Sequence, residues 1–214
     1  KYARALAGEA DPQADDPDPM AGFTAQYLNI WQLESAKTDK GDAAVEPAMW
    51  GELVHPIPEE VPDAAAIESW FGDGISVSLA WRIGDDRVMV RSVDVPGLVT
   101  AAEVIRQSGF KRRVISVGES LLDDPALKGL KLRKASGRAA ASVLELSRLI
   151  SEDALLHDGG DLLTGQVLAA RTMPGADGPR MVSTGRFDAV KTAVWCATAA
   201  RRKRPSSRRI ITAG

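Results

Sequence analysis

Apolar and polar positions alternate in steps of two across "ISVSLAWRI" (75–83), placing Ile75, Val77, Leu79, Trp81 and Ile83 on one face of a half-buried strand. "AAAIESW" (64–70) precedes it across the turn "FGDG". "RVMVRSVDV" (87–95) follows it across the turn "GDD". Three strands on short turns predict an antiparallel meander. The period then lengthens. "PGLVTAAEVIRQSG" predicts a helix begun at Pro96 and stopped at Gly109. "RRVISVG" (112–118) predicts a fourth, apolar strand. "ESLLDDPALKGL" predicts a short helix or loop, and "KLRKA" (131–135) a fifth strand.

Three helices complete the pattern. "SGRAAASVLELSRLISED" has Ser136 as its N-cap, and "DLLTGQVLAARTM" has Asp161 as its cap, followed by the loop "PGADGP". In "STGRFDAVKTAVW" (183–195), Phe187, Val190, Val194 and Ala197 recur at steps of three and four, so this helix buries one face. With Gly185 as N-cap, Asp188 falls at N3 on the edge of that apolar stripe.

Upstream of residue 64 the pattern is weaker. "KYARALAG" reads as a frayed helix before an acidic, Pro-rich loop. "AGFTAQYLNIWQL" reads as a short helix running into an irregular arm, and "EPAMWGEL" as a helix opened by Pro47. "HPIPEEVPD" excludes helix interior and central strand alike. These signals divide the chain into an arm or linker (1–63), a main domain (64–204) and a basic tail (205–214). In the main domain, three antiparallel strands followed by α-β-α-β-α predict a five-stranded mixed sheet with helices on both faces. Right-handed crossovers place the fourth strand parallel to the first and beside it. That order is the ribonuclease H-like fold.

Composition narrows the chemistry. The 214 residues carry 27 basic and 29 acidic side chains, so bulk charge selects no partner. Placement is more informative, because "KGLKLRKASGR" (128–138) and "RRKRPSSRR" (201–209) are basic and "EADPQADDPD" (9–18) is acidic. A single cysteine, Cys196, excludes a disulfide framework. With only His55 and His157 besides, no zinc-ligand spacing exists. Any catalytic metal therefore needs carboxylate oxygens, which means Mg²⁺ or Mn²⁺. No apolar run approaches the roughly 20 residues of a membrane span.

The predicted topology gathers acids. Glu68 lies in the first strand, Glu119 leaves the end of the fourth, and Asp188 opens the last helix, so all three are expected at one sheet edge. Uncompensated, such a cluster is repulsive. Two divalent ions about 3.5–4 Å apart would relieve it and could activate water for phosphodiester cleavage. Each acid also has an ordinary explanation. Glu68 could face solvent, Glu119 could cap the segment after Gly118, and Asp188 could complement the helix dipole for about 0.3–1 kcal/mol. Asp73 is explained by its turn, and Asp123 and Asp124 by capping "PALKG", although either could stand in as a ligand. His157 in "LLHDGG" is an auxiliary candidate for positioning water or phosphate, or a hydrogen-bonded turn histidine.

"AGFTAQYLNIWQL" and the closing stretch "LLHDGGDLLTGQVLAARTMPGADGPRMVSTGRFDAVKTAVWCATAARR" resemble the tailed-phage terminase large subunit, at its C-terminal nuclease domain and the linker before it. The resemblance implies a two-metal endonuclease that cuts concatemeric double-stranded DNA. It also implies an ATPase domain in cis, the portal and small terminase subunit as partners, and the host cytoplasm as location. Asp188 matches the last carboxylate of that family's motif. The first-strand ligand is usually Asp there, and Glu68 is one methylene longer. No G-x-x-x-x-G-K-[ST] is present, so ATP hydrolysis is not expected of this stretch, whose opening reads as the middle of a longer protein.

Lys128, Lys131, Arg133, Lys134 and Arg138 are the expected phosphate contacts, against the simpler reading of a solvated charged face. Two functions follow. One is a Mg²⁺- or Mn²⁺-dependent endonuclease with Glu68, Glu119 and Asp188 as ligands. The other is a module that keeps the fold and binds DNA or a packaging partner without cutting. A resolvase-like nuclease of the same fold would differ mainly in preferring branched DNA.

Overall fold

The structure, a computed structural model, describes residues 41–70, 74–110, 114–135, 139–173, 180–181 and 185–202, all within the compact unit Lys40–Gly214. The expected N-terminal helix and arm, Asp73, Ser136, Arg138, the loop "PGADGP" and the tail from 205 lie outside the described residues. The chain runs β1 (Asp42–Ala43), α1 (Pro47–Glu52), β2 (Ala64–Ser69), β3 (Ile75–Ile83), β4 (Arg87–Val95) and α2 (Leu98–Gln107). It continues through β5 (Val114–Val117), 3-10 turns at Glu119–Leu121 and Pro125–Leu127, β6 (Lys131–Lys134) and α3 (Ala139–Ser151). β7 (Leu155–His157), α4 (Asp161–Ala169), β8 (Arg171–Met173), β9 (Arg180–Met181) and α5 (Asp188–Arg201) complete it.

The main sheet has the order β6-β5-β2-β3-β4-β7. β2, β3 and β4 form the expected meander, and β5 lies parallel to β2. β6 is parallel to β5, and β7 is parallel to β4. The sheet therefore has six strands where five were expected. The extra one, β7, is only "LLH", too short for alternation to register. Its outer edge is covered by residues 53–55, since the His157 N–H donates to the Leu53 carbonyl and the His55 N–H to that of His157, at 3.0 and 2.8 Å. This leaves no bare strand edge there.

Three further boundaries differ from expectation. "DLLTGQVLAARTM" is helical only to Ala169, and Arg171–Met173 pairs with β1 and β9 in a small second sheet. Gly160, not Asp161, is the N-cap of α4. The last helix begins at Asp188 after an N-cap at Phe187, so Asp188 occupies the first helical position instead of N3.

Alternation along the strands splits the apolar residues into two cores. α2 covers one face, where Ala101, Ala102 and Ile105 meet Ile67, Val77 and Met89. Its helix stops as the chain turns at Gly109, whose φ of +75° is a left-handed conformation that glycine adopts without strain. The other face packs α3, α4 and α5 over the sheet. Small residues set this interface: Ala189, Ala193, Ala197 and Ala200 of α5 are buried, as are Ala64 and Ala66 of β2. Short side chains on both partners let α5 approach β2–β4 closely. Val45, Trp50 and Leu53 join this core, so the segment from Val45 to Leu53 is built into the domain.

Candidate active site

Strand register sets a row of positions across the end of the sheet, on the face under α5. Glu68 of β2 pairs with Ser76 of β3, which pairs in turn with Asp94 of β4. On the other side of Glu68, the Gly118 N–H donates to the Ile67 carbonyl at 3.2 Å where the chain leaves β5. A Cβ on Gly118 would stand 2.8 Å from Cδ and 2.9 Å from Oε2 of Glu68. The Glu68 carboxylate thus occupies space that any other residue at 118 would claim.

The first turn of α5 lies above this row. Asp188 is fully buried, and its two oxygens accept four hydrogen bonds. Ser76 Oγ donates to Oδ2 at 2.7 Å and Gln166 Nε2 to Oδ1 at 3.0 Å. Arg186 donates through Nε to Oδ1 at 3.2 Å and through Nη2 to Oδ2 at 2.8 Å. Arg186 also holds Asp94 with two bonds of 3.0 and 2.8 Å, so one guanidinium bridges two carboxylates. Burial by itself would raise the Asp188 carboxyl, but the bonds from Arg186 and Ser76 and the Arg186 charge outweigh it and hold the group below its ordinary value. The Arg186 guanidinium, bound by Asp94 and Asp188, is held more firmly protonated than usual. Gln166 Oε1 accepts the Ala189 N–H at 2.8 Å, using one of the free donors at the helix start.

One turn further along α5, Lys191 forms an ion pair with Glu68, and its ammonium lies 5.1 Å from the Trp195 ring centroid. The polar stripe continues as Thr192, which bonds Ser78 Oγ at 2.7 Å, and Cys196, whose thiol donates to the Ser78 carbonyl at 3.0 Å. Burial pushes that thiol up, so Cys196 is an inert packing residue.

The structure sets Glu68 beside Ser76 in register, and Asp188 accepts the Ser76 hydroxyl from the helix above. Among the described residues, Glu119 forms no metal-holding group with Glu68 and Asp188. Glu119 is exposed beyond Gly118 and pairs with Lys134. Asp124 Oδ1 caps its 3-10 turn through the Ala126 N–H at 2.9 Å, and Asp123 is exposed in the same loop. His157 is buried and stacked on Trp50, with ring centroids 3.8 Å apart. Its Nδ1 accepts the Gly159 N–H at 3.0 Å, leaving Nε2–H to donate to the Trp50 carbonyl at 2.8 Å. Both nitrogens are occupied, so His157 is the hydrogen-bonded turn histidine, without a nitrogen left for phosphate. Lys128, Lys131, Arg133 and Lys134 are exposed along the β6 side.

Sequence reasoning missed Asp94, Arg186, Lys191 and Gln166. The one signal within reach was Arg186, two residues before Asp188 in "GRFDAV". Asp94 emerges only from the β3–β4 register, and Gln166 only from helix packing.

This arrangement bears directly on a metal. Among the described residues, no group of three or more His, Cys, Asp or Glu side chains is placed to hold one ion. A divalent ligand set needs carboxylate oxygens turned toward one shared point. Here Arg186 and Lys191 already stand against Asp188, Asp94 and Glu68. As arranged, these side chains do not fit a divalent cation.

No protein-family model and no curated protein sequence matches the chain. Solved structures do. The HK97 bacteriophage large terminase superposes with a TM-score of 0.56 at 15% identity, over 72% of this chain and 43% of that one. The fold is that of large-terminase nuclease domains. The P22 large terminase nuclease domain matches with a TM-score of 0.50 at 18% identity, over 71% of this chain and 89% of its own. The large terminase nuclease from thermophilic phage G20c, solved with bound magnesium, matches at 0.50 and 12% identity, over 74% and 96%. Against the HK97 terminase, this chain spans less than half the length. No helix among the described residues is long and apolar enough to cross a membrane.

Proposed function

We propose that this chain is the nuclease-fold domain of a tailed-phage genome-packaging terminase large subunit. In that setting it works with an ATPase domain in cis and engages double-stranded DNA. The fold and the resemblance of the closing stretch support this reading. Within it, the side-chain arrangement favours DNA engagement without cleavage. One observation carries that choice: Glu68, Asp94, Glu119 and Asp188 each bear a Lys or Arg partner from the chain itself. The chain's own cations thus perform the charge neutralisation that metal ions would otherwise supply. Portal and small terminase subunit are the packaging partners of this proposal, and the host cytoplasm its location.

A second reading keeps the hydrolase. Glu68 and Asp188 both border Ser76, one by register and one by hydrogen bond, and this shared neighbour supports an endonuclease using Mg²⁺ or Mn²⁺, with two ions. Plasmid nicking in Mn²⁺ decides between them, comparing wild type with Asp188→Asn. Cleavage by wild type that the substitution abolishes establishes the hydrolase. Intact plasmid with both proteins, together with retained duplex binding, establishes the non-cleaving module.

A further inference from the structure

α5 packs mainly across β2, β3 and β4 and meets β5 along its edge, where Ser116 is buried. A cleft of about 450 Å³ opens there. Ser116 of β5, Arg133 of β6, Ser142 of α3, and Trp195, Thr198 and Arg202 of the last helix and its C-cap line it. The placement follows from register. Ser116 pairs with Ala66 on one side and Arg133 on the other, so all three face the α5 layer. Along the helix, Val194, Thr198 and Arg202 are spaced by four and share one stripe.

Two cations of this cleft, Arg133 and Arg202, have no carboxylate partner among the described residues. The Arg133 guanidinium donates only to Ser116 Oγ, at 3.3 Å, and among the described residues has no carboxylate partner. Arg202 contributes its carbonyl to Arg82 Nη2 at 2.8 Å, and its guanidinium likewise has no carboxylate partner among the described residues. Elsewhere, Arg87, Arg91, Arg148, Arg186 and Arg201 are each tied to an acid. Glu145 at the cleft wall is turned to Arg148 in two bonds of 2.9 and 2.6 Å. Lys134 is taken by Glu119. Two guanidinium forks without a carboxylate partner among the described residues, beside the Ser116 and Thr198 hydroxyls, form a donor-rich site, which is the chemistry of a phosphate. The formal net charge of −2 supplies no overall attraction to DNA, so affinity has to concentrate in such patches.

We infer that this cleft seats a backbone phosphate of double-stranded DNA, with Arg133 closing on it from the sheet and Arg202 from the helix end. The inference rests on the DNA-engaging reading above and gives it a defined contact. The test is fluorescence anisotropy of the 214-residue chain on a short labelled duplex over a series of NaCl concentrations. Each phosphate contact contributes about 0.9 to the log–log salt slope. Arg133→Ala and Arg202→Ala should each make the slope shallower by about 1, and the double variant by about 2. Arg106→Ala, exposed on α2 across the sheet, should leave it unchanged. Wild-type binding with the same slope in the Arg133 and Arg202 variants overturns this inference and leaves DNA engagement standing. Absence of wild-type binding at the lowest salt overturns both.

Discussion

Replacing Asp188 by Asn removes one charge and almost no volume, and its effect on stability has opposite signs under the two accounts of this site. In the structure, both carboxylate oxygens accept bonds, from Ser76 and Arg186 at one and from Gln166 and Arg186 at the other. An amide retains one acceptor. Its NH₂ must then face donors at either end, and Gln166 cannot simply turn over because its own oxygen holds the Ala189 N–H. Arg186 keeps Asp94 and is not left as an unpaired charge. The net loss is one to two charge-assisted hydrogen bonds in a buried setting, about 2–4 kcal/mol. Urea unfolding followed by tryptophan fluorescence, with EDTA present, measures it. The lowered Asp188 carboxyl adds a pH signature. Its contribution is complete above the unfolded value near 3.9 and fades as the pH falls through the lower folded value, so the gap between variants should close in acid. If the acids were instead gathered without compensation to await a metal, removing one charge in EDTA would relieve repulsion. Asp188→Asn as stable as wild type, or more so, refutes the paired network.

Three further outcomes are expected. Burial lowers the His157 pKa, opposed by its bond to Trp50 and the charge of Asp158, so the native ring stays neutral where an unfolded one takes a proton. Stability should therefore decline as pH drops below the unfolded value near 6.5, and thermal melts across that range in wild type and His157→Gln should diverge in slope. Gly118→Ala forces a methyl against the Glu68 carboxylate and should cost about 1–3 kcal/mol, read by the same urea titration. Gly51→Ala, in α1 with nothing within 4 Å of the added carbon, should instead stabilise by about 0.5–1 kcal/mol.

Much of the fold was legible because its strands are long enough for the side-chain period to show. β3 and β4 fall on 75–83 and 87–95, as alternation indicates. The parallel neighbourhood of β2 and β5 followed from crossover handedness. β7 escaped because three residues carry no period, and β8 because "RTM" continues an apolar run that reads as helix.

The site divides along the same line. Local sequence was sufficient to put Glu68 on a strand and Asp188 at a helix start, since both assignments depend on residues within a few positions. It also located the basic segment that becomes β6. What neutralises each acid depends on side chains distant in the chain: Lys191 meets Glu68 across 123 positions, and Arg186 meets Asp94 across 92. Periodicity reports which face a residue occupies and says nothing about which opposite charge arrives at that face. Only the packing of α5 across the sheet decided that the carboxylates would meet the chain's own cations, because electrostatic pairing acts over ångströms of space and is indifferent to separation along the chain.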